Sequence, residues 1–103
     1  MQNFTITETA PGKLALAGEM TILDAAQIKT ALLQALQAAE TLEVDLSGVI
    51  ELDTTGVQLM LMLQREARWH DKSLSWSGHS PTVARLLDLL NLGRTLDAPA
   101  AWS

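Results

Sequence analysis

The feature that most constrains this chain is its alternation of short strand-like runs with longer helical ones, in the order strand, strand, helix, strand, helix, strand, helix. A strand that follows a helix cannot reach its neighbour through a tight turn. The later strands therefore need crossover connections and lie parallel in a parallel or mixed sheet. Only the first two are close enough for a hairpin. Asn3 to Thr7 alternates Phe4 and Ile6 with polar neighbours, Pro11-Gly12 is a turn signal, and Lys13 to Ala17 sets Leu14 and Leu16 on one face. Gly18-Glu19-Met20 leaves that strand. The expected class is α/β: a small mixed β-sheet with helices on it, formed by residues 1–103 as one domain. Hydrophobic residues are 48% of the chain, enough to build a core and too many for a disordered segment.

The helices carry the clearest patterns. Thr21 followed by Asp24 resembles a capping box, and Asp24 to Ala39 is rich in Ala, Leu and Gln, with Ile28, Leu32, Ala35 and Ala39 on one stripe. Leu42 to Leu46 reads as a compact strand, closed by Asp45 and Ser47-Gly48. A second helix is expected from Thr55 to His70. Its Val57, Leu59, Met60, Leu61, Met62 and Leu63 go nearly all the way round, which predicts burial on most sides, while Arg65, Glu66 and Arg68 bring its end to solvent. Asp71-Lys72 is a turn before a strand at Leu74 to Ser77, with Leu74 and Trp76 on one face. Ser80 as N-cap and Pro81 at the first helical position open a third helix carrying Val83, Leu86, Leu87 and Leu90, which ends at Asn91 to Gly93. The tail from Arg94 to Ser103 has no periodicity that defines an element.

Charge narrows the partners. Lys and Arg total 7 against 12 Asp and Glu, a net charge of −5. A phosphate-backbone binder needs a basic surface, so direct contact with nucleic acid or an anionic membrane is not expected. One Phe and no Tyr leave little for base stacking. The absence of cysteine excludes disulfides, thiol catalysis and thiolate metal sites, and fits a reducing compartment. With no apolar run long enough for a membrane span and no leader layout, a cytoplasmic protein is expected.

The stretch that can carry chemistry is Leu42 to Met62, above all Leu52-Asp53-Thr54-Thr55-Gly56. Two hydroxyl residues sit where a loop becomes a helix, beside an acid and a glycine. The first amides of a helix lack internal partners and that end is locally positive, so a phosphate on Thr54 or Thr55 would be stabilised there. Gly56 is expected to leave the loop side open to an approaching partner or nucleotide. The same residues are also ordinary helix caps. The residues alone leave both readings standing.

Gly18-Glu19-Met20, Val44-Asp45-Leu46-Ser47-Gly48, Leu52-Asp53-Thr54-Thr55-Gly56 and Ser80-Pro81-Thr82-Val83-Ala84-Arg85-Leu86-Leu87 together resemble the STAS domain family, the anti-sigma-factor antagonists, from about Phe4 to Leu96. The resemblance implies a small α/β domain that captures an anti-sigma factor, usually a serine/threonine kinase of the histidine-kinase-like ATPase class. In such members the hydroxyl residue directly after the Asp of the Asp-Ser-(Ser/Thr)-Gly motif is phosphorylated, which breaks the capture, and a separate phosphatase resets it. Thr54 holds that place, with Thr55 the second choice. Partner contacts are implied for Asp53, Thr54, Thr55 and Gly56, with Asp45 and Ser47 of the preceding motif. The chain departs from the family in having Thr54-Thr55 for the usual Ser-Ser or Ser-Thr, Met20-Thr21 for the usual Leu-Asp, and a short C-terminal helix region. Family members also serve as the non-phosphorylated small partner of an ABC ATPase in bacterial phospholipid transport, and beside chemotaxis signalling proteins. Those settings are the alternative expectation.

No set of titratable groups converges as in an enzyme, and there is no phosphate-loop motif, so neither catalysis nor a cofactor is expected. His70 and His79 lie nine residues apart without metal-ligand spacing, and read as exposed or capping side chains. Met60 and Met62 read as core, and Trp69 and Trp76 as residues filling helix and strand ends. Trp102 can either anchor a partner or fold back on the domain.

Overall fold

The computed structural model describes residues 2–98. Among these, four strands and three helices follow in the order β1 (Phe4–Ala10), β2 (Lys13–Met20), α1 (Ala25–Ala38), β3 (Thr41–Leu52), α2 (Thr54–Trp69), β4 (Ser73–Ser77) and α3 (Pro81–Leu89). The sheet runs β1-β2-β3-β4. β1 and β2 form the expected antiparallel hairpin, while β2, β3 and β4 are parallel. This is the small mixed α/β sheet that the element order demands. Trp102 and the rest of residues 99–103 lie outside the described residues.

Two strands outrun their sequence signals. β2 continues through Gly18, Glu19 and Met20. Gly18 adopts φ +97, where a Cβ would overlap the Asn3 carbonyl oxygen, so glycine here lets the strand bend rather than end. β3 does not stop at Ser47-Gly48 but runs to Leu52. Its pairing with β2 slips between Ala15/Ala17 and again between Gly18/Glu19, because β3 carries an extra residue at each place. Each bulge flips the inward phase. Burial therefore passes from Leu42, Val44 and Leu46 to Val49, a jump that breaks the alternation a reader of the sequence relies on.

The helices differ from expectation in detail. α1 buries Ile28, Leu32 and Leu36; Ala35 is half-buried, and Ala39 is the C-cap. The Thr21–Asp24 capping box does not form. Asp24 is the N-cap without a side-chain bond to the helix; its Oδ2 instead accepts the Asn3 N–H at 3.3 Å. α2 starts one residue early, at Thr54, and buries Gly56, Val57, Leu59, Met60, Leu63 and Ala67, so it is one-sided; Leu61 and Met62 are only half-buried. Trp69 does not fill the helix end but stands 83% exposed. Trp76 is buried as expected and donates its indole N–H to Gln64 Oε1 at 2.9 Å. α3 opens on Ser80, whose Oγ accepts the Val83 N–H, with Pro81 at the first helical position. It buries Val83 and Leu87, while Leu90 is exposed.

The segment after α3 covers the free edge of β4. Leu96 is fully buried, Asp97 Oδ2 accepts the Trp76 N–H at 3.0 Å, and His79 Nε2 donates to the Leu96 carbonyl at 2.8 Å. Gln64 Nε2 adds a bond to the Thr95 carbonyl. An edge strand with open N–H groups invites pairing with other chains, and this strap takes up the edge N–H of Trp76.

Lys72 closes the C-terminus of α1. Its Nζ donates to the carbonyls of Leu36, Gln37 and Ala39 at 2.7, 3.0 and 3.0 Å, where the helix end supplies only the Ala39 N–H, to Leu36. Lys72→Met keeps most of the aliphatic stem and removes the three bonds. Its expected effect is a loss of about 1–3 kcal/mol of stability, the worth of charge-assisted bonds at a half-buried position. A lower urea midpoint at unchanged slope would show it.

Candidate functional site

The parallel strands β2 and β3 end side by side, and the loops leaving them meet at the start of α2. Leaving β2, the chain passes through Thr21, Ile22 and Leu23 before turning into α1. Leaving β3, it passes through Asp53 directly into Thr54. Ligands and partners of parallel α/β sheets gather at this carboxyl end, where loops can vary without disturbing the strands.

Asp53 organises the meeting point. Extended at φ −114 and ψ −178, it is the N-cap of α2, and its Oδ1 accepts the Gly56 N–H at 2.9 Å. Its Oδ2 accepts the Ile22 N–H at 3.0 Å. One carboxylate therefore caps the helix and holds the β2–α1 loop against it. Both oxygens are committed inside the molecule, so the side chain works on its own backbone before it can work on a partner.

Gly56 serves the same junction. It is buried, and a Cβ there would overlap the Met20 carbonyl oxygen and stand 2.5 Å from Leu52 Cδ1. Its missing side chain thus makes room for strand β2 rather than for an approaching partner, which corrects the expected reason for a glycine at this place. The two residues between cap and glycine have the freedom that these lack. Thr54 is exposed and Thr55 half-buried, and among the described residues neither hydroxyl has a hydrogen-bond partner. The first helical bond runs from the Val57 N–H to the Asp53 carbonyl, leaving the Thr54 and Thr55 amides without a helical acceptor.

Asp45 and Ser47 are not brought to this place. Asp45 Oδ1 accepts the Ser47 N–H at 2.8 Å and lies against Gly78, beyond the end of β4. At the usual rise of a strand, Ser47 is roughly 15 Å along β3 from Leu52.

The surface around Thr54 has a feature the motif gives no hint of. Ile22 is 68% exposed, Leu23 76% and Ile50 70%. Ile22 and Leu23 belong to the loop that Asp53 holds, whereas Ile50 is two residues from the end of β3 and its carbonyl accepts from the Thr82 hydroxyl of α3 at 3.4 Å. The signal was present in the sequence as an Ile-Leu pair standing outside any amphipathic period, immediately before a helix start. The charges nearby are acidic: Glu19 and Glu51 are register partners on β2 and β3, and Asp53 follows them. None of the Lys or Arg residues lies between Met20 and Asp24 or between Ile50 and Gly56. Among the described residues no three His, Cys, Asp or Glu side chains group as a metal site, and no helix is long and apolar enough to cross a membrane.

The chain belongs to the STAS domain family: the family model described as "Mlab, STAS domain" matches residues 5–97. Solved structures share the fold. The unphosphorylated anti-sigma factor antagonist SpoIIAA is 22% identical with a TM-score of 0.70, over 88% of this chain and 83% of that one. An anti-sigma factor antagonist from Mycobacterium paratuberculosis is 19% identical with a TM-score of 0.77, over 95% and 86%. The phosphorylated form of the Bacillus cell fate determinant SpoIIAA is 21% identical with a TM-score of 0.66, over 88% and 86%. No curated protein sequence matches the chain.

Proposed function

We propose that this protein is a protein-binding switch of the antagonist kind, which captures an anti-sigma serine/threonine kinase of the histidine-kinase-like ATPase class and is released by phosphorylation at Thr54. The observation that carries this reading is the exposed Thr54 hydroxyl at the start of α2, where Asp53 holds the loop that carries the exposed Ile22 and Leu23 side chains. Exposed apolar side chains cost little in a free domain but contribute strongly once a partner covers them. The acidic surroundings select a partner whose contact surface carries basic residues.

In the switching step the γ-phosphoryl group of ATP passes to Thr54 Oγ1, the hydroxyl proton leaves to a base on the kinase, and ADP departs. The dianion then stands next to the Asp53 carboxylate, at the end of the strands that carry Glu19 and Glu51. That change opposes redocking, through added negative charge and through desolvation of the phosphate. Thr55, half-buried, is the poorer acceptor. On this reading the domain is a kinase substrate with no catalysis of its own, works in the bacterial cytoplasm where ATP is present, and regulates transcription without touching DNA.

A second reading draws on the family model, whose description is Mlab rather than an antagonist. In it the same face is a permanent contact of an accessory subunit with an ABC-type phospholipid transport ATPase, and Thr54 is a contact residue that is never modified.

Immobilised wild type, Thr54→Ala and Thr54→Glu, passed through lysate of the source organism with the retained proteins identified by mass spectrometry, separate the two. The switch predicts a histidine-kinase-like ATPase held by wild type and Thr54→Ala, and held about tenfold more weakly by Thr54→Glu, as one added like charge at an interface produces. Equal retention of that ATPase by all three sinks the gating role of Thr54. An ABC ATPase held by all three establishes the accessory reading.

A further inference from the structure

Asp53 joins two things that need not be joined: the first turn of α2, where Thr54 stands, and the β2–α1 loop, which carries Ile22 and Leu23. We propose that this carboxylate is a latch, through which phosphate on Thr54 withdraws the Ile22–Leu23 pair from the docking face. The inference rests on the phosphorylation reading above and adds to it the means by which charge at one residue dismantles an apolar contact made by others.

Three observations support the latch. First, the only side-chain bond that holds the loop to α2 among the described residues is Asp53 Oδ2 to the Ile22 N–H at 3.0 Å. Second, the partner oxygen is spent on Gly56 N–H, one of the amides that a phosphate on the adjacent residue would reach. A phosphothreonine carries roughly −1.5 to −2 charges at neutral pH. Placed next to Asp53, it repels the carboxylate and competes for the same amide, so the carboxylate loses its reason to stay. Third, the held position of the loop contains a defect. Thr21 Oγ1 is buried without a hydrogen-bond partner, directly before Ile22. A buried hydroxyl left unpaired disfavours the conformation that buries it. When the latch lets go, that hydroxyl reaches water, which favours the released loop.

Both arrangements leave the sheet and its core unchanged. Gly56 stays against Met20, and α2 keeps its first backbone bond from Val57 to Asp53. Only the few residues between β2 and α1 move. Asp53 is thus a positioning residue: it sets the place of Ile22 and Leu23 and does not itself have to touch the partner.

Amide hydrogen exchange on the full chain tests this without any partner. Three forms are compared with wild type by NMR: the chain with phosphothreonine installed at position 54, Asp53→Ala, and Asp53→Ala carrying the same phosphothreonine. The expected result is that the Ile22 amide exchanges about tenfold faster in the phosphorylated chain and in Asp53→Ala, which has no side-chain acceptor, the factor that one bond to a charged acceptor supplies. Phosphate adds nothing further to Asp53→Ala, because the latch is already open. Amides of β3, in the middle of the sheet, should exchange as in wild type in every form, which separates an opened latch from a damaged fold. An Ile22 amide equally protected with and without phosphate overturns the proposal, as does a further acceleration when phosphate is added to Asp53→Ala. These failures are distinct from failure of the switch. Kinase capture lost on phosphorylation with Ile22 still protected removes the latch and keeps the switch, whereas capture indifferent to phosphate removes the switch and the latch's role with it.

Discussion

Gly56→Ala is expected to cost about 3 kcal/mol of folding stability, although alanine is the better helix former by about 1 kcal/mol at an exposed interior position. The sign reverses because of where the Cβ would go. It would overlap the Met20 carbonyl oxygen and crowd Leu52 Cδ1 at 2.5 Å. The carbonyl belongs to the last residue of β2, which is held in register with Leu52 of β3, so it cannot step back without disturbing the parallel ladder. The alternative is for the first turn of α2 to lift, which lengthens the Asp53–Gly56 and Asp53–Ile22 bonds together. A domain with total stability of about 5–15 kcal/mol loses a large share of its margin by either route. Urea unfolding of wild type and Gly56→Ala measures it directly. A variant as stable as wild type would show that the junction of α2 and β2 is loosely fitted, and would weaken the claim that the loop and the helix are placed relative to one another.

The parts of this arrangement that the sequence discloses are those written in local chemistry. Ser80-Pro81 announces a helix start because an N-cap oxygen and a proline at the first helical position act within one turn, and α3 begins there. Asp53 announces α2 for the same reason. The element order forces parallel pairing, and the sheet has it. The losses come where a distant contact overrides the local rule. The phase of β3 breaks at two bulges, and a run read by alternation ends at the first of them, although the strand goes on to deliver Thr54 to the site. Thr21 and Asp24 have the spacing of a capping box, but Asp24 is drawn to the Asn3 amide, and the cap is not made. Gly56 has two physical uses that one letter cannot tell apart, an open approach or a close contact; the Met20 carbonyl decides for the second. The strap at Leu96 and Asp97 has no periodicity because it is a run of local turns, tied back to the domain by distant partners at Trp76 and His79. Ile22 and Leu23 escape notice for a related reason: a loop has no face, so exposure of its apolar residues becomes visible only in three dimensions.

If the proposed ATPase partner docks at this end of the sheet, Ile22→Ser combined with Leu23→Ser is expected to weaken its capture by about 100-fold, since a few central apolar side chains carry most of the energy of such interfaces. Folding stability should barely move, within about 0.5 kcal/mol, because both side chains project into solvent in the free protein. That contrast is what makes the pair diagnostic. Gly56→Ala weakens the fold and, through it, everything the fold presents; the double serine variant leaves fold, cap and Thr54 in place and removes only the apolar contact. Trp69→Ser is the matched control. Trp69 is exposed at 83%, more than either aliphatic residue, but it stands at the last residue of α2, some 22 Å of helix from Thr54 at about 1.5 Å per residue. Exposure alone would predict losses from both variants. A docking face centred on the start of α2 predicts loss from the first and none from the second. Titration of each variant with the ATPase, by calorimetry, reads both affinities on one scale. Wild-type affinity in the double serine variant would remove the β2–α1 loop from the interface and return the whole of the docking energy to the residues of α2 itself.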